Sequence, residues 1–241
     1  MRQNKVTPLE EALSYLESGM TIAVGGFIGQ GDPLTLIDGM KRIRHLKDLT
    51  IISNDAGYRE RGLVELVRRG MVRKMITSHV GTTPYIAEAM NSGALEVELN
   101  PQGTLVERCR CGGGGLGGVL TPVGVGTEVE NGKQKIEVGG QVYLLETALH
   151  ADVAIVRAHK GDWRGNLMYR GTSRNHNTVM ATCADHVIAE VENLYCMGEL
   201  DAEAIQTQGI YIDTVVRSDL LYAVERPVEP AHYSDLPIKE V

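Results

Sequence analysis

The 241-residue sequence has little aromatic bulk, with one tryptophan, one phenylalanine and an aromatic fraction of 5%. A folded core must therefore be built mainly from Val, Leu, Ile, Met and Ala. No apolar run approaches the roughly 18 residues needed to span a bilayer, and residues 1–9 contain no apolar signal-peptide segment. From these absences we expect a cytoplasmic protein that does not bind membranes.

The sequence also has no excess of positive charge, because its formal net charge is −7. Domains that bind nucleic acids usually carry a basic patch, so we expect no nucleic-acid partner. Four cysteines are present, and their spacing is not that of a zinc ribbon. We therefore expect free thiols and no bound metal at Cys109, Cys111, Cys183 and Cys196.

Glycine is abundant, with 28 residues, and it clusters in two places. The first cluster follows a predicted buried strand over residues 21–24 and precedes a helix that should begin at Asp32-Pro33. Backbone N–H groups between a strand end and a helix N-terminus can face a ligand. The spacing is neither that of a Rossmann fingerprint nor that of a P-loop. The predicted ligand-binding residues of this loop are Gly25, Gly26, Phe27, Ile28, Gly29, Gln30 and Gly31.

Strand and helix patterns alternate along the chain. The first helix should be capped by Thr7, with Glu10 completing a capping box, and should end at Gly19. Later helices are predicted at 32–44, 63–68 and 84–90. Strands are predicted at 49–53, 74–78, 95–99, 152–157, 187–191 and 209–216. This alternation predicts an α/β fold with a single open, mostly parallel sheet flanked by helices, forming one domain over residues 1–225 and an extended tail at 226–241.

The second glycine cluster interrupts this alternation. Residues 111–126 contain Gly112-Gly113-Gly114-Gly115, which is unfavourable inside a helix, so we predict a long functional loop. A β-hairpin insertion should follow, with strands at 127–129 and 134–138 joined through Asn131-Gly132. Gly139-Gly140 should form a second tight turn before residues 141–145.

Several sequence blocks, in this order, resemble family I coenzyme A transferases, the 3-oxoacid CoA-transferase family. The similarity extends over nearly the whole chain, to about Val216, and is closest to α subunits of acetate, butyrate and acetoacetate transferases. Its blocks are residues 18–33, Ser53-Asn54-Asp55, and residues 72–82, 99–105, 110–118 and 120–127.

The resemblance implies a ping-pong transfer of coenzyme A between an acyl-CoA and a short-chain carboxylate or 3-oxoacid. Coenzyme A would be a substrate, with no permanently bound cofactor. The nucleophilic glutamate would belong to a β subunit, in an α2β2 or larger assembly, so this chain alone should be inactive. Glu130-Asn131-Gly132 resembles the β-subunit motif superficially, but it lacks the preceding serine and occupies the predicted hairpin turn.

In similar enzymes the glutamine of a Pro-Gln-Gly block donates a hydrogen bond to the thioester oxygen, and Gln102 holds that position here. The alternative is that Gln102 only bonds to the backbone of its own loop. The resemblance also leaves open whether the Gly25–Gly31 loop touches coenzyme A or only shapes the pocket. His79 and His159 are expected to be structural. Asn175-His176-Asn177-Thr178 stands where relatives read Asn-Phe-Asn-Pro.

Two other functions remain open from the residues alone. One is a sugar-phosphate isomerase, which would need its own acid/base carboxylate and a basic phosphate site. The other is the ligand-sensing domain of a transcriptional regulator, although the chain is acidic and contains no helix-turn-helix pattern. Fold class does not choose among these functions.

Overall fold

The computed structural model describes residues 4–58 and 61–219. In chain order, the strands are β1 (Thr21–Val24), β2 (Leu49–Ser53), β3 (Val72–Thr77), β4 (Glu96–Leu99), β5 (Gly118–Thr121), β6 (Lys135–Val138), β7 (Gln141–Thr147), β8 (Ala151–Asp162), β9 (Leu167–Met168), β10 (Ala184–Tyr195) and β11 (Thr214–Arg217). The α-helices are α1 (Leu9–Leu13), α2 (Leu34–Met40), α3 (Val64–Arg68), α4 (Pro84–Asn91), α5 (Gln102–Gly113) and α6 (Asn177–Met180).

The central sheet has the strand order β11-β10-β8-β1-β2-β3-β4, and every neighbouring pair in this path is parallel. Short β9 pairs antiparallel with β8. The expected open, mostly parallel sheet is confirmed. Since the carboxyl ends of parallel strands share one edge of a sheet, the loops after β1, β2, β3 and β4 are brought together there.

Helices cover both faces of this sheet, which explains why its strands are apolar on both sides. In β1, Ile22 and Val24 pack into a core cluster with α1, α2, α3 and α4. Ala23 points to the other face and packs into a cluster that includes Leu105 of α5 and Met180 of α6. The two clusters hold few aromatic side chains, as the composition predicted.

The predicted cap of the first helix is wrong. Pro8, not Thr7, precedes the first turn, and no side chain caps it. The Thr7 hydroxyl donates to the Lys5 carbonyl, and the Thr7 backbone N–H donates to the Val215 carbonyl of β11. Pairing with a distant strand therefore fixes this segment. The helix ends at Leu13, well before Gly19, and α2 likewise ends at Met40 instead of residue 44.

The prediction that residues 111–126 form one long loop is also partly wrong. Helix α5 continues through Gly113, and β5 begins at Gly118. A Cβ on Gly112 would lie 1.9 Å from the Leu149 carbonyl oxygen, and one on Gly113 would lie 2.4 Å from that of Thr182. These glycines let α5 approach neighbouring backbone, and this close packing outweighs their poor helix propensity.

The hairpin insertion exists, but its position differs from the prediction. Residues Glu128–Glu130 form a 3₁₀ helix, not a strand. The hairpin joins β6 to β7 through Gly139 and Gly140, whose φ values of 60° and 79° fit a type I′ turn. With β5 it forms a three-stranded antiparallel sheet in the order β5-β7-β6.

Near the carboxyl end of the described chain, the strand predicted at 209–216 is shorter than expected. Residues Gly209–Tyr211 form a 3₁₀ helix, and only Thr214–Arg217 is a strand. The tail predicted at 226–241 lies outside the described residues.

Candidate active site

A chain of side-chain hydrogen bonds connects the loops at the carboxyl edge of the sheet. The Gln102 amide Nε2 donates to Oδ1 of Asn54 at 2.8 Å, and the Ser78 hydroxyl donates to the same oxygen at 2.8 Å. Asn54 Nδ2 donates to Oδ2 of Asp55 at 2.6 Å. That carboxylate oxygen also accepts from the backbone N–H of Ile28 at 2.8 Å. Two side chains therefore link Gln102 to the first glycine loop.

Gln102 also lines a cleft of about 640 Å³. The cleft is enclosed by the first turn of α5, by β5 and by residues 175–179, and Val106, Val119, Leu120 and Val179 contribute apolar walls. Pro101 precedes α5, and no side chain caps the helix there. Backbone N–H groups in a first helical turn have no partner within the helix and favour negative charge. The cleft can therefore hold an apolar group beside hydrogen-bond donors.

The Gly25–Gly31 loop is built around a two-residue turn. Phe27 and Gln30 exchange backbone hydrogen bonds of 3.0 Å, and between them Ile28 and Gly29 have φ values of 48° and 76°. A β-branched residue with positive φ is strained. The bond from the Ile28 N–H to Asp55 helps to hold this conformation.

The glycines of the loop lie against other parts of the same chain. A Cβ on Gly25 would lie 1.9 Å from Oδ1 of Asn177, and one on Gly26 would lie 2.0 Å from Oδ1 of Asp32. Gly31 would meet the Ser173 carbonyl oxygen at 2.7 Å. Close packing within the chain therefore requires these glycines, and none of the seven loop residues lines the cleft described above.

Buried charges lie beside this loop. The Arg157 guanidinium, 2% exposed, donates to the Asp32 carbonyl at 3.2 Å and lies 3.0 Å from a carboxylate oxygen of Glu192. The pKa of Asp32 is raised to about 7, mainly by burial, with further increases from the Asp55 and Glu190 charges and an opposing effect of Arg157. The Asp32 carboxyl therefore changes its protonation near neutral pH.

Glu190 is fully buried and serves as a tertiary cap for α2. Its Oε2 accepts from the backbone N–H of Thr35 at 2.8 Å and of Leu36 at 3.3 Å. Its Oε1 accepts from the Thr35 hydroxyl at 2.9 Å and the Ser218 hydroxyl at 2.6 Å. Burial raises the pKa of Glu190, against the opposing effect of Arg157. A carboxylate from β10 thus fixes the start of the helix that follows the glycine loop.

His176, at the departure from the family pattern, lines the cleft and is 6% exposed. Its ring stacks on Phe27, with centroids 6.1 Å apart. Burial lowers its pKa, while Asp55 and the Gly26 backbone act in the opposite direction. Burial therefore favours the neutral imidazole. His159 was expected to be structural, and its Nδ1 lies 2.9 Å from a carboxylate oxygen of Glu192.

The two carboxylates considered near the site are each paired with a cation of this chain. Glu130 accepts from the Lys135 ammonium at 2.7 Å and from the Gly126 N–H at 2.6 Å, and the Lys135 bond lowers its pKa. Glu107 is the one carboxylate residue among the described residues that line the cleft, and it pairs with Arg110 at 2.8 Å, as expected.

Site roles for Asn54, Asp55 and Ser78 were not predicted from the sequence. Asn54 and Asp55 come directly after β2, and Ser78 follows β3. Polar residues immediately after two adjacent parallel strands could have indicated this edge, but their bonding to Gln102 depends on strand order.

Within residues 4–58 and 61–219, no three His, Cys, Asp or Glu side chains are grouped so that they could hold a metal ion. The same part of the chain contains no helix long and apolar enough to cross a membrane.

An open parallel sheet with polar side chains and a cleft at the carboxyl ends of its strands is typical of α/β proteins that bind small ligands at that edge. Residues 6–218 match the protein family described as coenzyme A transferase. This chain belongs to the coenzyme A transferase family.

Two related sequences have names that state a function. The chain is 45% identical over 216 residues to the acetate CoA-transferase subunit alpha of Escherichia coli strain K12, covering 90% of this chain and 98% of the relative. It is also 45% identical over 214 residues to the acetoacetyl-CoA:acetate/butyrate CoA transferase alpha subunit of Clostridium acetobutylicum, covering 89% and 98%.

The fold agrees with a solved member of the family. Glutaconate coenzyme A-transferase from Acidaminococcus fermentans superposes with a TM-score of 0.78 at 19% identity, covering 91% of this chain and 77% of that one. At this identity the likeness establishes the fold alone.

Proposed function

We propose that this chain is the α subunit of a heteromeric CoA-transferase that moves coenzyme A between an acyl-CoA and a short-chain carboxylate or 3-oxoacid. Acetate, butyrate and acetoacetate are the acids that the names of its relatives suggest. Family membership supports the reaction class. The observation that carries the site assignment is the hydrogen-bond chain from Gln102 through Asn54 and Asp55 to the glycine loop.

The proposed reaction uses a glutamate of a second subunit as the nucleophile. Its carboxylate oxygen attacks the thioester carbonyl carbon, and the thiolate of coenzyme A leaves, giving an acyl-glutamyl anhydride. The thiolate then attacks the glutamyl carbonyl, which releases the first carboxylic acid as its anion and forms a glutamyl-CoA thioester. The acceptor carboxylate repeats these two steps in reverse and leaves with coenzyme A.

Gln102 is proposed to stabilise the negative charge that develops on the thioester oxygen. An amide nitrogen carries two N–H donors, so the bond to Asn54 leaves one for a substrate oxygen. The oxygen of Asn54 faces Gln102, which requires Gln102 to present its NH₂ group there. A donor that is already positioned costs little reorganisation when the charge develops.

The Gly25–Gly31 loop is proposed to shape the pocket through its backbone. Its glycines pack against Asn177, Asp32 and Ser173, and the strained turn at Ile28 is tied to the same carboxylate as Asn54. This arrangement favours a positioning role over a glycine cradle wrapped around coenzyme A. Direct contact of Phe27 or Gln30 with the acyl-CoA remains part of the proposal.

The second subunit is proposed to complete the site, in an α2β2 or larger assembly. Glu107 and Glu130 are both engaged by cations of this chain, so a nucleophilic glutamate from the partner fits the cleft better than either. Coenzyme A serves as a substrate, and no permanently bound cofactor is invoked. Four free cysteines fit a reducing compartment, and we place the reaction in the cytoplasm.

Co-expression with the product of the adjacent reading frame tests this function. The purified complex is mixed with acetoacetate and a panel of acyl-CoA donors, and the exchange of coenzyme A is followed by chromatography. Activity should require both chains. Incubation with acyl-CoA alone should leave coenzyme A covalently on the partner, seen as an increase in its intact mass. Full activity, or the covalent adduct, on this chain alone would contradict the two-subunit function.

A further inference from the structure

One face of the small antiparallel sheet carries five apolar side chains and no charged one, with Gln141 and Thr147 as its polar members. Backbone pairing places Leu120 opposite Leu145, and Ile136 opposite Tyr143. Because side chains alternate along a strand, these four residues and Val138 point to the same side. We call Leu120, Ile136, Val138, Tyr143 and Leu145 the apolar sheet face.

The side chains of the apolar sheet face are accessible in this chain. Val138 is 52% exposed and Leu120 is 37% exposed, while Ile136, Tyr143 and Leu145 are half-buried. Single exposed apolar residues are common, but a contiguous group on one side of a sheet marks an interaction surface.

The opposite face of the same sheet carries its charges and contacts the rest of the chain. Leu144 is fully buried there, and Glu146, 2% exposed, pairs with the Lys133 ammonium at 2.6 Å. Lys135 lies on this side as well and pairs with Glu130. An antiparallel sheet usually turns its apolar face inward and its polar face to water. Here the apolar face is the accessible one among residues 4–58 and 61–219, which marks it as a surface for a further binding partner.

We infer that the apolar sheet face docks the second, carboxylate-bearing subunit of the transferase. This inference rests on the proposed function, and it assigns the surface through which the partner reaches the site. Leu120 belongs both to the apolar sheet face and to the wall of the cleft that holds Gln102. A subunit bound to the apolar sheet face would therefore border the cleft.

The residues that line the cleft favour the second subunit as the partner that binds the apolar sheet face. The described lining holds one carboxylate residue, Glu107, which is paired with Arg110. A glutamate that attacks a thioester beside Gln102 must enter from a chain bordering the cleft, and the β5 wall is one of its borders. The uncharged, apolar character of the face suits a lasting interface, since permanent interfaces are the more hydrophobic ones.

Two matched substitutions on one hairpin test the inference. Val138→Glu places a carboxylate on the apolar sheet face, whereas Val142→Glu makes the same change on the opposite face, where Val142 is 39% exposed. Each variant is co-expressed with the second subunit, and assembly is measured by light scattering and titration. Val138→Glu should weaken assembly roughly tenfold or more, because a charge would be desolvated in the interface. Val142→Glu should assemble like the wild type.

Circular dichroism of each purified variant establishes that it is folded, and Ile136→Glu provides a second change on the apolar sheet face should Val138→Glu fail to fold. Equal assembly of the face variants and Val142→Glu, with an active wild-type complex, overturns this interface and leaves the proposed function intact. Self-association of this chain that is abolished by Val138→Glu assigns the face to a second copy and also overturns the inference. A wild-type chain that binds no second subunit overturns the proposed function itself.

Discussion

Gln102 and Asn54 are joined by a 2.8 Å hydrogen bond that runs from the first residue of α5 to the loop after β2. The Asn54 oxygen also accepts from Ser78, and its nitrogen donates to Asp55. The Asn54 amide oxygen is therefore an acceptor and its nitrogen a donor, and the Gln102 NH₂ group is held at the edge of the cleft. Through Asn54 and Asp55, Gln102 is therefore connected to the loops that follow β1, β2 and β3.

Replacing Gln102 by Ala in the assembled enzyme should lower kcat by about 10²–10³, as removal of one oxyanion donor does elsewhere. The KM for acyl-CoA should change much less, because the bond is proposed to strengthen in the transition state. Steady-state CoA exchange measures both. Glu88→Ala, at an exposed position of α4 away from the cleft lining, serves as the control.

Asn54→Ala tests whether the hydrogen bond between Gln102 and Asn54 contributes to the proposed catalytic role of Gln102. It should lower kcat, and the double variant with Gln102→Ala should lose less than the sum of the two single losses in activation free energy, since contacting residues couple. Strictly additive losses would show that Asn54 does not act through Gln102. An unchanged kcat in Gln102→Ala would remove that residue from the mechanism.

Asp32→Asn should change how stability depends on pH. Native burial raises the pKa of Asp32 from 3.8 to about 7, so the native chain keeps a proton that the unfolded chain releases between those values. The resulting stabilisation is complete below pH 3.8 and is lost as the pH rises through about 7. In urea unfolding, the difference between wild type and variant should change by up to about 1.4 kcal/mol per pH unit in this window. Parallel stability curves would contradict a raised Asp32 pKa.

Glu190→Ala should destabilise the protein by about 3–5 kcal/mol, because it removes one member of a buried charge pair and the acceptor for the first N–H groups of α2. Glu190 is 0% exposed, and Nε of Arg157 lies 3.7 Å from its Oε1. Urea unfolding measures the loss. Glu137→Ala, at an exposed position on β6, should cost less than about 0.5 kcal/mol. Equal effects of the two changes would refute the capping role.

Gly112→Ala should destabilise the chain although alanine is the better helix former. Its Cβ would lie 1.9 Å from the Leu149 carbonyl oxygen, so backbone would have to move. We expect a loss of about 1–3 kcal/mol, typical of overpacking. Gly103→Ala, in the same helix with open space at its Cβ, should be neutral or stabilising by up to about 1 kcal/mol. Thermal unfolding compares the two variants; a stabilised Gly112→Ala would contradict the packing argument.

The regular elements were predictable where local pattern and tertiary packing agree. The strands β1 and β2 have the predicted limits, and β3, β4, α3 and α4 lie within one or two residues of theirs. Their apolar runs are short and bounded by turn residues, so sequence alone indicates a strand. The candidate site was predictable only in part: family resemblance predicted a site role for Gln102, whereas its hydrogen-bond partner was not predicted.

The sequence by itself determined the alternation of strands and helices, the family and the loops that carry polar and glycine residues. Tertiary structure decided that Gly112 and Gly113 are helical, that Asn54 meets Gln102, and that burial raises the pKa of Asp32. Sequence patterns report how a residue behaves among its chain neighbours. These three outcomes depend instead on groups that are distant in the sequence. The fold brings the Leu149 backbone to Gly112, the Asn54 amide to Gln102, and buried surroundings with other charges to Asp32.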